Sequence, residues 1–117
     1  MVVNLTPHDI TLFRTDGSTV TFPAHGTPAR VSEVWTDASP IAVSADGDDW
    51  FDVPVGHRSL GSIEGLWDPQ IDTYYICSSI VAQKAWQNGR GDVIAPADFV
   101  RDDSGRIIGC RKFEVIR

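Results

Sequence analysis

The last nineteen residues of the chain, Phe99-Val-Arg-Asp-Asp-Ser-Gly-Arg-Ile-Ile-Gly-Cys-Arg-Lys-Phe-Glu-Val-Ile-Arg117, predict a β-hairpin. Asp102-Asp-Ser-Gly105 fits a type I turn that is closed by a glycine in the left-handed conformation. Because a turn fixes which residues face each other, it also predicts the pairing of the two strands. The predicted opposite pairs are Asp102–Arg106, Arg101–Ile107, Val100–Ile108 and Phe99–Gly109.

Two arginines emerge on one face of this hairpin. Side chains alternate along a strand, so Arg101, Gly109 and Arg111 share a face, and Ile107 and Phe113 join them. Gly109 has no side chain and leaves a gap beside Arg111 in which a planar or anionic group fits. The alternative for each arginine is an ion pair with one of the sixteen acidic residues, which contributes little when it is exposed.

A second hairpin is predicted near the start of the chain. Ile10 to Thr15 and Ser18 to Phe22 flank Asp16-Gly17, which is typical of a two-residue type I′ turn. That turn predicts the pairs Phe13–Val20 and Thr11–Phe22. Further strands are expected at Val2 to Leu5, Ala29 to Trp35 and Thr73 to Cys77.

One helix is predicted, near residues 79–88. Ser78 and Ser79 suit an N-cap, and Gly89 follows the last helical residue. The expected fold class is therefore α+β and mostly antiparallel β: a small sheet or partly open barrel with one main helix and a C-terminal hairpin. At 117 residues the chain fits a single domain over 1–117.

The stretch Thr36 to Asp52 is acidic and rich in turn residues. Weak strands are predicted at Ile41 to Ser44 and Trp50 to Val55, and a solvated excursion is the simplest interpretation. Pro54 argues against a central strand and favours an edge or a subunit contact. Because the chain has four tryptophans and only one predicted helix to cover them, we expect a homo-oligomer.

Composition and motifs exclude several classes of function. The net charge of −6 disfavours binding to DNA or RNA, although a few local arginines suffice for a free nucleotide. Cys77 and Cys110 lack CxxC spacing and the three histidines lack metal-ligand spacing, so no metal or other cofactor is expected. No GxSxG or Walker sequence is present. Neither a signal peptide nor a membrane span is visible, and we expect a cytoplasmic protein.

Two polar groups are candidates for ligand binding besides the arginines. Ser78 and Ser79 place backbone N–H groups and hydroxyls at a helix N-terminus, which favours a phosphate, although serine there is also the ordinary cap. Near Pro7, His8 lies in a predicted bend with Asn4 and Thr6, which either hold a ligand or satisfy the turn.

Four segments give the chain a family resemblance: Asn4-Leu-Thr-Pro-His8, Glu64-Gly-Leu66, Tyr75-Ile-Cys-Ser-Ser-Ile-Val-Ala82, and the ending Arg101-Asp102 with Gly105-Arg-Ile-Ile-Gly-Cys-Arg111. With them the chain resembles a family of small phage and bacterial proteins. Phage proteins of this size include oligomeric sponges, which bind cyclic or ADP-ribose-derived immune signals without cleaving them. By analogy of size and setting with these sponges, we expect a phage anti-defence role in the host cytoplasm.

Three hypotheses follow. The first is non-enzymatic sequestration of a small phosphorylated nucleotide, with a site formed by Asn4, Thr6, His8, Ser78, Ser79, Arg101, Gly109 and Arg111. The second is an interaction or inhibitory module that binds a host enzyme through Trp35, Trp50, Phe51 and Trp67. The third is a small hydrolase or transferase that uses His8 as a base.

Overall fold

The computed structural model describes residues 1–117, which form two compact units. The first unit, here called the body, comprises Met1–Val31 and Ile63–Arg117, and the second, the arm, comprises Ser32–Ser62. The elements in chain order are β1 (Val2–Asn4), β2 (Ile10–Phe13), β3 (Thr19–Phe22), β4 (Arg30–Ser44), β5 (Trp50–Glu64), β6 (Tyr74–Ile76), α1 (Ser79–Gln87), β7 (Val93–Arg101) and β8 (Ile107–Val115).

The body is built on a six-stranded sheet in the order β1-β6-β7-β8-β2-β3. The hairpins β2/β3 and β7/β8 are antiparallel, whereas β1, β6 and β7 run parallel to one another, as do β2 and β8. A parallel bridge between Asn4 and Ala24 links β1 to the end of β3, and the His25 amide donates to the Asn4 carbonyl at 2.9 Å. The sheet is therefore nearly closed, which confirms the predicted α+β fold with a partly open barrel.

Helix α1 covers one side of this sheet. The Ser78 hydroxyl accepts a hydrogen bond from the Val81 amide, so Ser78 is the N-cap, and the helix ends before Gly89. Its buried face is formed by Val81, Ala82 and Ala85. No helix of the protein has both the length and the apolar composition needed to cross a membrane. The buried core comprises Leu5, Ala29, Tyr75, Cys77, Val81, Ala82, Ala85, Val93 and Ala95.

The first hairpin forms where it was predicted, but with a different turn. A type I′ turn needs positive φ at both central residues, and in the turn only Gly17 has one, at 87°. The chain instead makes a type I turn closed by Gly17, in which the Arg14 amide donates to the Ser18 carbonyl. The predicted pairs Phe13–Val20 and Thr11–Phe22 are therefore wrong by one residue: the observed pairs are Phe13–Thr19, Leu12–Val20, Thr11–Thr21 and Ile10–Phe22.

The C-terminal hairpin, β7 and β8, confirms the predicted turn and corrects part of the pairing. The Asp102 amide donates to the Arg106 carbonyl, Gly105 has φ 83°, and Arg101 lies opposite Ile107. Beyond this pair Ile108 is an extra residue in a β-bulge, which shifts the register by one. The predicted pairs Val100–Ile108 and Phe99–Gly109 are thus replaced by Val100–Gly109 and Phe99–Cys110.

The arm is a two-stranded ribbon and not an irregular excursion, and the weak strands predicted at Ile41 to Ser44 and Trp50 to Val55 are parts of β4 and β5. β4 and β5 are 15 residues each and are joined by a short turn around Gly47, so they are antiparallel. Fifteen extended residues span about 50 Å. Pro54 lies on a strand with only one neighbour, as predicted for an edge. Pro40 has the same position on the other strand.

Candidate functional site

The predicted group Asn4, Thr6 and His8 comes together. The polar side-chain atoms of Asn4 and Thr6 form hydrogen bonds within the protein. The buried Asn4 amide donates to the carbonyls of His8 and Phe22, both at 2.8 Å. Its Oδ1 accepts from the Thr6 amide at 2.9 Å and from the Thr6 hydroxyl at 2.7 Å. Asn4 and Thr6 therefore hold the bend in shape, and only the exposed His8 side chain is free to meet a ligand.

The serines at the start of α1 differ in role. The Ser78 hydroxyl caps the helix through the Val81 amide at 3.4 Å, whereas the Ser79 side chain is exposed. The hydrogen-bond and ion-pair partners of Arg101 and Arg111 are Gly105 and Asp98, not these serines. The geometry thus supports the ordinary capping role for Ser78.

The hairpin arginines are engaged within the hairpin. Arg101 donates to the Gly105 carbonyl at 2.9 Å. Arg111 faces the Asp98 carboxylate at 3.7 Å, and the side chains of this pair are 56% and 45% exposed. The gap predicted at Gly109 is filled: a Cβ there would lie 2.5 Å from Phe13 Cε2 and 2.5 Å from the Thr11 carbonyl oxygen. The planar group beside Gly109 is therefore the Phe13 ring of the neighbouring strand.

Two members of the predicted site, His8 and Gly109, meet in a different place. They line a cleft of about 310 Å³ where β2, β7 and β8 come together. Large apolar side chains dominate this cleft, and three of them are about half exposed: Phe99 46%, Ile107 52% and Ile108 47%. Its lining residues are His8, Asp9, Ile10, Thr11, Pro96, Phe99, Ile107, Ile108, Gly109 and Cys110.

This apolar cleft could not be predicted from the sequence, because it depends on the bulge. An unbulged hairpin alternates Ile107 and Ile108 between opposite faces, whereas the extra residue places both at the cleft. The two consecutive isoleucines directly after the turn are the feature of the sequence that indicates an apolar surface here. No cation lines the cleft, so it is suited to an apolar group and not to a phosphate.

Burial disfavours the reactive thiolate form of both cysteines. Cys77 and Cys110 are both buried and free, and burial raises the pKa of Cys77 to about 12. Burial also raises the pKa of Cys110. No group of three or more His, Cys, Asp or Glu side chains is placed to hold a metal ion.

Trp67 and Arg90 belong to the packing of the body. The Trp67 ring contacts the rings of His25 and Tyr75 edge to face, at centroid distances of 4.8 and 6.1 Å. Arg90, which the sequence analysis did not single out, binds both carboxylate oxygens of Asp92 at 2.9 Å and donates to the Trp67 carbonyl at 2.8 Å. Of the four predicted docking aromatics, Trp67 is thus already partnered.

The other three aromatics lie on the arm and are exposed. Trp35, Trp50 and Phe51 are 63%, 61% and 52% accessible, and no residue of the arm is buried. The arm has six acidic residues and one arginine, so it holds a net charge of −5 out of −6 for the chain. Exposed aromatics among carboxylates form a second candidate surface.

The tip of the arm is ordered by one of these carboxylates. The amides of Asp48 and Asp49 and the Ser44 hydroxyl all donate to Asp46 Oδ1, at 2.8 to 3.1 Å. Hydrogen bonds from the Asp49 amide, then the Asp48 amide and the Ser44 hydroxyl, hold the pKa of Asp46 below its ordinary value. Trp50 also donates to the Gly47 carbonyl, at 3.2 Å, which fixes its ring beside the turn.

The chain matches no protein-family model, no curated protein and no solved structure.

Proposed function

We propose that the protein is a non-enzymatic interaction module and that the arm is its binding surface for another protein chain. One observation carries this proposal: the arm buries no side chain, yet it exposes Val34, Trp35, Ile41, Trp50 and Phe51 by more than half. A two-stranded ribbon is only marginally stable in water by itself. A protein surface that covers these side chains explains both the aromatics and the extended shape.

The charge of the arm indicates the kind of surface that it binds. A net charge of −5 around exposed aromatics is complementary to a surface that combines basic side chains with apolar hollows. Aromatic side chains are typical anchors of protein interfaces, and carboxylates at the rim set orientation and association rate. The two strand edges contain Pro40 and Pro54, which favours binding through the faces and the tip over pairing along an edge.

The nucleotide hypothesis remains a prediction with less geometric support. Its eight residues are dispersed: Asn4 and Thr6 bond each other, Ser78 caps α1, and Arg101 and Arg111 are engaged within the hairpin. Only His8 and Gly109 share a cleft, and that cleft is apolar.

A photo-crosslinking phenylalanine analogue at Phe51 tests the proposed function. The purified chain and a bacterial extract are irradiated, and adducts are identified by mass spectrometry. Position Ile71, which is 91% exposed on the body, is the matched control. We expect protein adducts from position 51 and not from position 71.

A second measurement separates the proposal from the nucleotide hypothesis. A panel of cyclic dinucleotides and ADP-ribose derivatives is added, and the melting temperature is recorded. Protein adducts at the arm without a nucleotide-dependent shift agree with the proposal. A strong shift with one nucleotide, combined with no adduct at position 51, contradicts it.

A further inference from the structure

The apolar cleft of the body is formed at two irregularities of the backbone. Ile107 and Ile108 are consecutive, and the β-bulge allows both to line the cleft. Pro96 and Phe99 line it as well, although side chains three positions apart lie on opposite faces of a regular strand. Asp98 lies between them and has a left-handed backbone, with φ 51°. Such irregularities are concentrated at functional sites, and here they bring apolar side chains of both strands to one cavity.

The cleft leaves apolar surface in contact with water. Phe99, Ile107 and Ile108 each expose about half of their surface, and a ligand that covers them gains free energy from the water it displaces. The volume of about 310 Å³ is at the low end for small-molecule sites and corresponds to roughly ten water molecules. The cleft therefore has room for a ligand with a single aromatic ring or one branched aliphatic group.

Asp9 gives this cleft a negative charge. It is the only acidic residue of the lining, and neither lysine nor arginine lines the cleft. Asp9 Oδ1 accepts a hydrogen bond from the Ala24 amide at 2.8 Å, which orients the carboxylate. Its other oxygen has no hydrogen-bond partner in the protein, and Asp9 takes part in none of the ion pairs. One carboxylate oxygen is thus left for a positively charged group.

We propose that the cleft binds a small organic cation: an apolar group covers Phe99 and the two isoleucines, and an ammonium group pairs with Asp9. Charge selects this class of ligand, because an organic anion of the same shape meets a carboxylate of like charge. The cleft is formed by the body alone, so the proposal is independent of the arm and goes beyond the proposed function.

Three probes of similar shape and different charge test the proposal on the wild-type chain at neutral pH. Phenethylamine is the cation, phenethyl alcohol is neutral, and hydrocinnamate is the anion. NMR titration follows the methyl groups of Ile107 and Ile108 and the Gly109 amide. We expect these signals to move with phenethylamine at a Kd below about 10 mM. The alcohol is expected to bind about threefold more weakly, and hydrocinnamate more weakly still.

Two matched variants assign the charge preference to Asp9. Asp9→Asn removes the charge and keeps an oxygen for the Ala24 amide, so it is expected to weaken phenethylamine binding about threefold and to leave the alcohol unaffected. Asp72→Asn removes the same charge from an exposed residue outside the cleft and is expected to leave the Kd of both probes unchanged. Circular dichroism checks that both variants remain folded, and the comparison of the three probes on wild type needs neither of them.

Several results overturn the proposal. Absence of phenethylamine binding below about 10 mM, or signal changes confined to residues outside the cleft, would show that the cleft is not its site. Equal affinity for the three probes, or Asp9→Asn that binds phenethylamine as tightly as Asp72→Asn, would show that the cleft does not select a cation. None of these results bears on the arm, which the crosslink from position 51 tests separately.

Discussion

The Asn4 side chain joins the first strand to two other parts of the body. Its four hydrogen bonds reach Thr6, His8 and Phe22, and its exposed fraction is 2%. The sequence predicted this residue as a ligand-binding group because Asn beside Thr and His is polar. A polar cluster near a proline bend does not reveal whether its partners are backbone groups or a ligand, and here they are backbone groups and Thr6.

Replacing Asn4 by Ala is expected to lower the free energy of unfolding by about 2–4 kcal/mol, because buried carbonyls and an amide lose their partners. Urea denaturation measures the change. Thr11→Val is the control, since the Thr11 hydroxyl bonds only the exposed Thr21 hydroxyl. A change in the free energy of unfolding as small as that of the control would show that water replaces the amide. Asn4 would then again be a candidate for ligand binding.

Gly109 is required by packing. A Cβ at this position meets the Phe13 ring and the Thr11 carbonyl at 2.5 Å, so Gly109→Ala is expected to destabilise the body by about 1–3 kcal/mol. Gly91→Ala is the matched control, because a Cβ there meets only Trp86, at an ordinary 3.8 Å. Thermal denaturation compares the two variants. Equal stability of both would mean that the ring moves aside freely and that a gap beside Arg111 exists after all.

At the scale of elements, local signals located α1 and both hairpins correctly, whereas pairing beyond the turns required more than local information. The glycine after each turn identified the loop, but Asp16 does not adopt the positive φ that a type I′ turn demands, and the bulge at Ile108 has no sequence marker. In the arm the sequence predicted only two short, weak strands, because acidic and turn-forming residues interrupt its β-forming ones. Strands of this length and exposure are unusual.

Substitutions of the two serines at the start of α1 distinguish helix capping from phosphate binding. Ser78→Ala is expected to lower the free energy of unfolding by about 0.5–1 kcal/mol, since the 3.4 Å bond to Val81 is long for a cap. Ser79→Ala is the control and is expected to be neutral or slightly stabilising, because alanine favours the helix. Inorganic phosphate is then added to both variants and to wild type. Phosphate stabilisation that only wild type shows would support the phosphate site.

The tip turn of the arm is expected to loosen in acid. The pKa of Asp46 is lowered in the folded chain, so its contribution is present above the ordinary carboxyl pKa of about 4 and is lost as pH falls through the lowered value. NMR titration follows the Asp46 carboxyl and the amides of Asp48 and Asp49 together. Asp46→Asn keeps an acceptor oxygen and should remove the pH dependence. Amide shifts that stay unchanged down to pH 2 would contradict this account.

For the molecule as a whole, the division into two units predicts that the body folds without the arm. The core of the body contains no residue of the arm. We expect that joining Glu33 to Leu60 through an Asn-Gly turn leaves the free energy of unfolding within about 1 kcal/mol of wild type, because hairpins close readily through this turn. Denaturation of the shortened chain measures it, and an unfolded product would show that the arm is part of the folding unit.

The nearly closed sheet has a consequence for how the chain is made. Val2 pairs with Tyr74, which leaves the ribosome 72 residues later, and β6 must in turn pair with β7. At about 5–20 residues per second, the first strand waits some 4–14 s for its partner. During synthesis the early hairpin β2/β3 can form at once, but its neighbour β8 is the last strand to emerge. Barrel closure therefore waits for the last strand of the sheet, and until then a nascent chain displays an open sheet that a chaperone can bind.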